Sequence, residues 1–137
     1  LGGEEDQELT GEILAAAGLE PGARVLDLCG SLNLRESYAL LEKAAVLVTN
    51  DSLPMHLGVA ARIPVVAIYC STVPDFGFAP QGPDDIVLEV KGLSCRPCGI
   101  HGHPSCPKRH FRCALDLEAG RVIAAVRKRL PVADLKA

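Results

Sequence analysis

The sequence lacks any apolar run long enough to span a bilayer, and it lacks a segment typical of a secretory signal. Its longest mostly apolar stretch, residues 57–70, is interrupted by Arg62 and Pro64, whereas a spanning helix needs about 20 consecutive apolar residues. No basic segment is followed by a short apolar core, so no signal peptide is visible. Low-complexity tracts and internal repeats are absent as well. These absences exclude a transmembrane helix and a repeat architecture from residues 1–137.

What is present is the composition of an ordinary globular domain. The 137 residues are 48% apolar and 23% charged, so the chain is neither disordered nor fibrous. A chain of this length can bury a real core without disulfides or metals to support it. Because the first residue is Leu1 rather than Met, we expect the sequence to be a piece of a longer protein. We interpret residues 1–137 as one partial domain.

Charge is distributed unevenly along the chain. Residues 1–90 contain 4 Lys and Arg against 14 Asp and Glu, whereas residues 91–137 contain 10 against 3. One interpretation is that the two oppositely charged parts attract each other within one fold. The other is a basic surface directed toward an anionic partner or a membrane. We favour the first, because the basic residues lie on a predicted helix that needs a solvated face.

Alternating strands and helices predict an α/β fold with a Rossmann-like parallel sheet. Strands without polar alternation are typical of a parallel sheet that helices cover on both faces. Between the last strand and the last helix, residues 94–113 form a Cys-rich loop without periodicity. The expected strands cover residues 24–28, 45–49, 64–69 and 86–90, and the expected helices cover 4–17, a segment capped by Asn33 and Glu36, 54–62 and 118–130.

The loop after the second predicted strand contains Asp51, Ser52, Leu53 and His56. Free backbone N–H groups at the start of the following helix form an anion site. A histidine in that first turn is unfavourable for the helix dipole unless an anion binds beside it. Asp51 can orient the histidine or hold a ribose hydroxyl. The alternative is that Asp51 and Ser52 only cap the helix and that His56 is a partly buried structural histidine.

The loop after the third predicted strand contains Ser71 and Thr72, two hydroxyls that can hold a phosphate oxygen. A Ser-Thr pair after a strand is more often a simple turn. The carboxyl ends of parallel strands meet at one edge of the sheet, where ligands of such folds bind. We therefore expect the two loops to form one phosphate site.

These loops carry a resemblance to a known family. Residues 45–72, AVLVTNDSLPMHLGVAARIPVVAIYCST, resemble the donor-binding half of the family 9 glycosyltransferases, the bacterial ADP-heptose:lipopolysaccharide heptosyltransferases. The family pattern is an apolar strand, Asp-Ser-Gly-Pro-x-His, a small-residue helix, Pro-Val-Val-Ala and a phosphate-contacting loop that ends in Thr. The stretches CSTVPDFGFAP, SCRPCGIHG and CPKRHFRC resemble a Cys-rich branch of the family. Leu53 and Cys70 stand where the pattern has Gly, which leaves the identity of the donor open.

The resemblance implies the C-terminal, nucleotide-sugar-binding half of a two-domain GT-B enzyme whose N-terminal acceptor domain is absent from the sequence. No catalytic residue is assigned, because the family's general base belongs to that absent domain. Glu4 or Glu5 matches a glutamate that contacts the nucleoside. The residues implied to bind the donor are Asp51, Ser52, Leu53, His56, Ser71 and Thr72.

The resemblance also implies the partners. They are an ADP-heptose-like donor, a lipid-linked oligosaccharide acceptor and the N-terminal domain, with no nucleic acid. Such an enzyme needs no cofactor for catalysis and is cytoplasmic, peripheral at the inner face of the bacterial inner membrane. The alternative is a non-catalytic, metal-braced interaction module on a Rossmann-like half, with a basic surface for an acidic partner.

Four cysteines of the Cys-rich loop have the spacing C-x2-C-x7-C-x6-C, with three histidines among them. Four thiolates at short spacings can surround a zinc ion, so we expect a structural zinc site. An iron–sulfur cluster, disulfides and reduced cysteines that simply pack are the alternatives. Cys29 and Cys70 are expected to be buried small apolar residues. The expected zinc ligands are Cys95, Cys98, Cys106 and Cys113.

Overall fold

The computed structural model describes residues 1–130. The chain divides into two compact units, Leu1–Leu40 and Leu41–Ala137. Residues 131–137, which the predicted single domain includes, lie outside the described residues. Among the helices of residues 1–130, none combines the length and the apolar composition that crossing a bilayer would need.

The first unit is mainly helical. A 3-10 turn at Glu4–Asp6 leads into helix α1, Gln7–Ala17. Helix α1 ends as the sequence predicts, because Gly18 adopts the left-handed conformation with a φ of 63°. Cys29 is buried at 6% exposure, as expected, and its Sγ lies 3.1 Å from the Thr10 hydroxyl.

Helix α2, Leu34–Leu41, begins with the predicted capping box. The Asn33 side-chain oxygen accepts the N–H of Glu36 at 3.1 Å, and the Glu36 carboxylate accepts the N–H of Asn33 at 2.8 Å. These two reciprocal bonds satisfy backbone donors that the start of a helix leaves free.

The strand predicted at residues 24–28 is wrong. These residues form bends and coil, and Leu26 is 69% exposed. Val25 exchanges hydrogen bonds with Gly22, at 3.2 Å and 2.7 Å, in a local turn. An apolar run becomes a strand only where a neighbouring strand satisfies its backbone groups, and within residues 1–130 no strand pairs with it.

The second unit contains a three-stranded parallel sheet in the order β1-β2-β3. The three strands confirm the predictions to within two residues. Helix α3 starts one residue earlier than predicted, and α5 is shorter than the predicted 118–130. The elements are β1 Leu47–Asn50, α3 Leu53–Ala60, β2 Val65–Tyr69, β3 Ile86–Glu89, α4 Arg112–Leu115 and α5 Ala119–Arg127.

The core lies on both faces of β2, as the absence of polar alternation predicts. On one face, Val65 and Tyr69 pack with Met55 of α3. On the other, Val66 packs with Ala125 of α5. The two-faced burial confirms the predicted α/β class and fixes the carboxyl ends of the strands at one edge of the sheet.

Candidate functional site

Asp51 and Thr72 meet at the carboxyl edge of the sheet. Asp51 directly follows β1, and Thr72 lies three residues after the end of β2. The Thr72 hydroxyl donates to the Asp51 carboxylate at 2.7 Å. The structure therefore joins the two loops that the sequence assigned to one site.

Tyr69, the last residue of β2, lies fully buried beside this pair. Its hydroxyl contacts the Met55 sulfur at 3.6 Å. Burial, together with the charge and hydrogen bonding of the nearby Asp51 carboxylate, raises the pKa of Tyr69 to about 12. The raised pKa means that the buried phenol is held in its neutral form.

The start of α3 is open to solvent. Ser52 is the N-cap residue, but its hydroxyl donates to the Asn50 carbonyl at 3.3 Å instead of accepting a helix N–H. Leu53 is 59% exposed, and His56 is exposed as well. Of the side-chain hydrogen bonds formed by residues 1–130, none involves the His56 imidazole. The imidazole is thus available to an anion at the helix start, and the interpretation of His56 as partly buried does not fit.

Ser71 has different surroundings from Thr72. Its carbonyl accepts the N–H of Cys98 at 2.8 Å. Its hydroxyl oxygen lies 2.5 Å from the position that a Cβ on Gly102 would occupy. Ser71 also lines a cavity of about 20 Å³ with residues of the Cys-rich loop. The two neighbouring hydroxyls therefore differ: Thr72 binds Asp51, whereas Ser71 packs against the Cys-rich loop.

Arg96, to which no sequence motif points, binds both strand ends. Its side chain is 5% exposed and forms an ion pair with Glu89 at 3.1 Å. Its guanidinium donates to the carbonyls of Thr72 at 2.6 Å and Val90 at 2.7 Å. An arginine between two cysteines has no sequence signature of burial, so this role could be found only in the fold.

The Cys-rich loop brings several of its thiols near one another. Cys98, Cys106 and Cys113 line the small cavity together with His103. The N–H of Phe111 points at the Cys106 sulfur at 3.4 Å and lowers the pKa of that thiol. The Cys98 thiol donates to the Cys95 carbonyl at 3.0 Å, and the Cys95 sulfur lies 3.8 Å from the imidazole of His110.

The cysteines of the structure do not fit the disulfide alternative to the expected zinc site. All six cysteines are free thiols. In residues 1–130, no group of three or more His, Cys, Asp and Glu side chains is placed to hold a metal ion. The zinc site stays a prediction. Cys70, expected to be buried, is half-buried, and burial raises the pKa of its thiol.

A larger cavity of about 310 Å³ opens beside Pro64 and Asp85, which precede β2 and β3. None of the residues implied to bind the donor lines it. Glu4 and Glu5 are exposed in the 3-10 turn of the first unit.

Comparison with known proteins relates this chain to one family of glycosyltransferases. A family model for glycosyltransferase family 9 (heptosyltransferase) matches residues 1–105. The lipooligosaccharide heptosyltransferase 2 of Campylobacter jejuni is 30% identical over 92% of this chain and 38% of that protein. The lipopolysaccharide heptosyltransferase 2 of Escherichia coli is 39% identical over 56% of this chain and 22% of that protein. The chain thus spans less than two fifths of the length of these curated relatives.

Two solved structures superpose on most of this chain. The ADP-heptose lps heptosyltransferase II of Escherichia coli superposes with a TM-score of 0.69 at 26% identity, over 93% of this chain and 34% of that one. A family 9 glycosyl transferase from Veillonella parvula superposes with a TM-score of 0.71 at 24% identity, which supports the fold. Because the family model covers more than half of the sequence, the chain belongs to glycosyltransferase family 9, the heptosyltransferase family.

Proposed function

We propose that this chain is the donor-binding part of a glycosyltransferase that transfers heptose, or a related sugar, from a nucleotide-diphosphate sugar to the lipopolysaccharide core. The observation that carries the proposal is the family match, which includes both loops of the carboxyl edge. The contact between Asp51 and Thr72 supports it, because it places the two loops at the edge where ligands of open parallel sheets bind.

The chemistry asked of this edge is stabilisation of a leaving nucleoside diphosphate. The negative charge that develops needs preorganised donors. The exposed start of α3 and the His56 imidazole supply them, since helix N–H groups and the helix dipole favour an anion. Asp51 would repel a phosphate and is suited to accept hydroxyl groups, as it does from Thr72. The acceptor hydroxyl would be deprotonated by a base outside this chain.

The partners and location follow from the same proposal. The acceptor is a lipid-linked oligosaccharide, so the enzyme works in the cytoplasm, peripheral to the inner face of the inner membrane. Inverting transfer without a metal cofactor is proposed, with charge stabilisation left to the residues of the edge. A non-catalytic interaction module is not favoured, because the curated relatives named above are heptosyltransferases.

Titration with ADP tests the proposal in the full-length protein. We expect amide shifts concentrated at residues 51–56 and 70–72, read by NMR. His56→Ala should weaken ADP binding by about 10-fold, as loss of one charge-assisted bond does. The melting temperature should change little, because Ala favours a helix more than His does.

The matched control is His101→Ala, an exposed histidine of the Cys-rich loop. It should leave ADP affinity unchanged. A wild-type protein that shows no ADP-dependent shifts at the carboxyl edge would contradict the donor site.

A further inference from the structure

Arg96 lies at the point where the ends of two strands approach each other. Its guanidinium donates to the Val90 carbonyl, just after β3, at 2.7 Å. It also donates to the carbonyls of Tyr69, which ends β2, at 3.5 Å and of Thr72 at 2.6 Å. The Glu89 carboxylate lies 3.1 Å away and supplies the opposite charge. One side chain thus connects the loop after β2 to the end of β3.

The burial of this side chain makes the connection specific. The Arg96 side chain is 5% exposed, and a buried cation is tolerated only when it is paired and hydrogen-bonded. Its planar fork of N–H groups can serve several acceptors in a fixed geometry, which an ammonium group cannot reproduce. The carbonyls of the loop are therefore held where the guanidinium needs them.

The same loop is held at a second position. The N–H of Cys98 donates to the Ser71 carbonyl at 2.8 Å. Gly102 approaches so closely that a Cβ there would lie 2.5 Å from the Ser71 hydroxyl oxygen, and its φ is +78°. Arg96, Cys98 and Gly102 therefore pack directly on residues 71 and 72.

Thr72 connects these backbone contacts to the carboxylate of Asp51 in the candidate site. Its carbonyl accepts from Arg96, while its hydroxyl donates to Asp51 at 2.7 Å. Thr72 is 9% exposed, so it has little freedom to move independently. A displacement of its backbone would break or lengthen the contact that joins the two loops.

We propose that Arg96 is a positioning residue for the donor: it fixes the backbone of residues 70–72 so that the Thr72 hydroxyl and Asp51 face the nucleotide-sugar together. The inference rests on the proposed donor site. It assigns to the Cys-rich loop a task at that site, carried by Arg96 and supported by the Cys98 N–H. Arg96 itself contacts main chain and Glu89 and need not touch the donor.

The test compares Arg96→Lys with wild type in the full-length protein. The lysine keeps a positive charge beside Glu89 but loses the fork that spans the Thr72 and Val90 carbonyls. We expect the KM for the nucleotide-sugar and the Kd for ADP to rise about 10- to 100-fold, since small displacements of a positioned group have effects of that size. The KM for the acceptor should stay unchanged. Hydrogen exchange at amides 70–73 should become faster.

Two further variants keep the test decisive if one variant folds poorly. Arg96→Met combined with Glu89→Met removes both charges, so no unpaired charge remains buried. Gly102→Ala pushes on Ser71 from the other side and should also weaken ADP binding. The control is Arg112→Lys, because Arg112 pairs with Asp116 at the surface, with 58% of its side chain exposed.

The possible results separate this inference from the proposed function. If wild type neither binds ADP nor transfers sugar, the donor site and this inference fail together. If wild type binds ADP and the Arg96 variants bind it equally well, this inference alone fails. A third result is a lower kcat in the Arg96 variants, with unchanged KM values for both substrates and unchanged hydrogen exchange at residues 70–73. Such a result would mean only that a smaller fraction of the protein is folded, and it would also overturn the positioning role.

Discussion

At the scale of single residues, Tyr69 shows how the carboxyl edge uses burial. The side chain is fully buried beside Asp51, and the pKa of its phenol is raised to about 12. A tyrosine in an unfolded chain titrates near pH 10. Folding therefore favours the neutral phenol. The stability that this preference contributes is fully present below about pH 10 and is lost as the pH rises through about 12.

Tyr69→Phe should remove this pH dependence. We expect the free energy of unfolding of wild type to fall relative to that of Tyr69→Phe by roughly 1 to 3 kcal/mol between about pH 9 and pH 12. Urea unfolding at a series of pH values measures the difference. Tyr38→Phe is the control for the loss of one phenol hydroxyl elsewhere in the chain. A Tyr69→Phe curve parallel to that of wild type would contradict the raised pKa.

The residues of the edge were predictable to different degrees. Asp51 and Thr72 could be assigned to one site because each follows a strand of the same parallel sheet, and that topology follows from the apolar pattern. The split between Thr72 and Ser71 could not, because it depends on Gly102 and Cys98, about 30 residues away in sequence. The role of Arg96 is unpredictable for the same reason, since its acceptors are main-chain carbonyls that have no sequence signature.

At the scale of elements, contacts between distant parts of the sequence again separate the confirmed strand predictions from the wrong one. Strand β2 was predictable because four of its five residues are buried against helices on both sides. Residues 24–28 contain three apolar residues among five, but a strand also needs a partner for its backbone groups. Predictions from local signals are confirmed where all the contacts lie within a few residues of one another, as in the Asn33 capping box and the end of α1 at Gly18. Contacts made over long sequence separations decided the rest.

The Cys-rich loop is the element whose chemistry is still a prediction. If the four cysteines bind a structural zinc ion, the purified protein should contain about one zinc per chain by elemental analysis. Chelation should lower its melting temperature, because metal binding contributes folding free energy. Cys98→Ser and Cys106→Ser should each lose the zinc, since both thiols line the same cavity.

Cys29→Ser is the matched control, because Cys29 lies in the first unit and contacts Thr10. Its zinc content should equal that of wild type. A protein purified without chelators that contains no zinc, or that instead shows the visible absorption of an iron–sulfur cluster, would contradict the zinc prediction. The role proposed for Arg96 does not depend on this outcome, because its contacts are hydrogen bonds and one ion pair.

At the scale of the whole molecule, the uneven charge has a partial explanation in the second unit. Residues up to 90 and residues after 90 form ion pairs there: Arg96 with Glu89 at 3.1 Å, and Arg129 with Asp84 at 3.3 Å. These contacts support the interpretation that the oppositely charged parts attract each other within the fold. Of these two pairs, Arg129 and Asp84 form the more accessible one, since the Asp84 side chain is 65% exposed.

Charge reversal at this pair distinguishes the two interpretations of the basic residues. Asp84→Lys places a cation beside Arg129 and should lower the free energy of unfolding by about 0.5 to 1 kcal/mol. Adding Arg129→Glu restores an opposite-charge pair and should recover most of that loss, and the recovery should shrink as salt rises from about 0.05 to 0.5 M. Urea unfolding of the two single variants and the double variant gives the coupling energy, with the exposed Glu20→Lys as the control for a change in net charge. A coupling energy of zero at low salt would mean that Arg129 gains nothing from Asp84, and it would favour a basic surface directed toward an anionic partner.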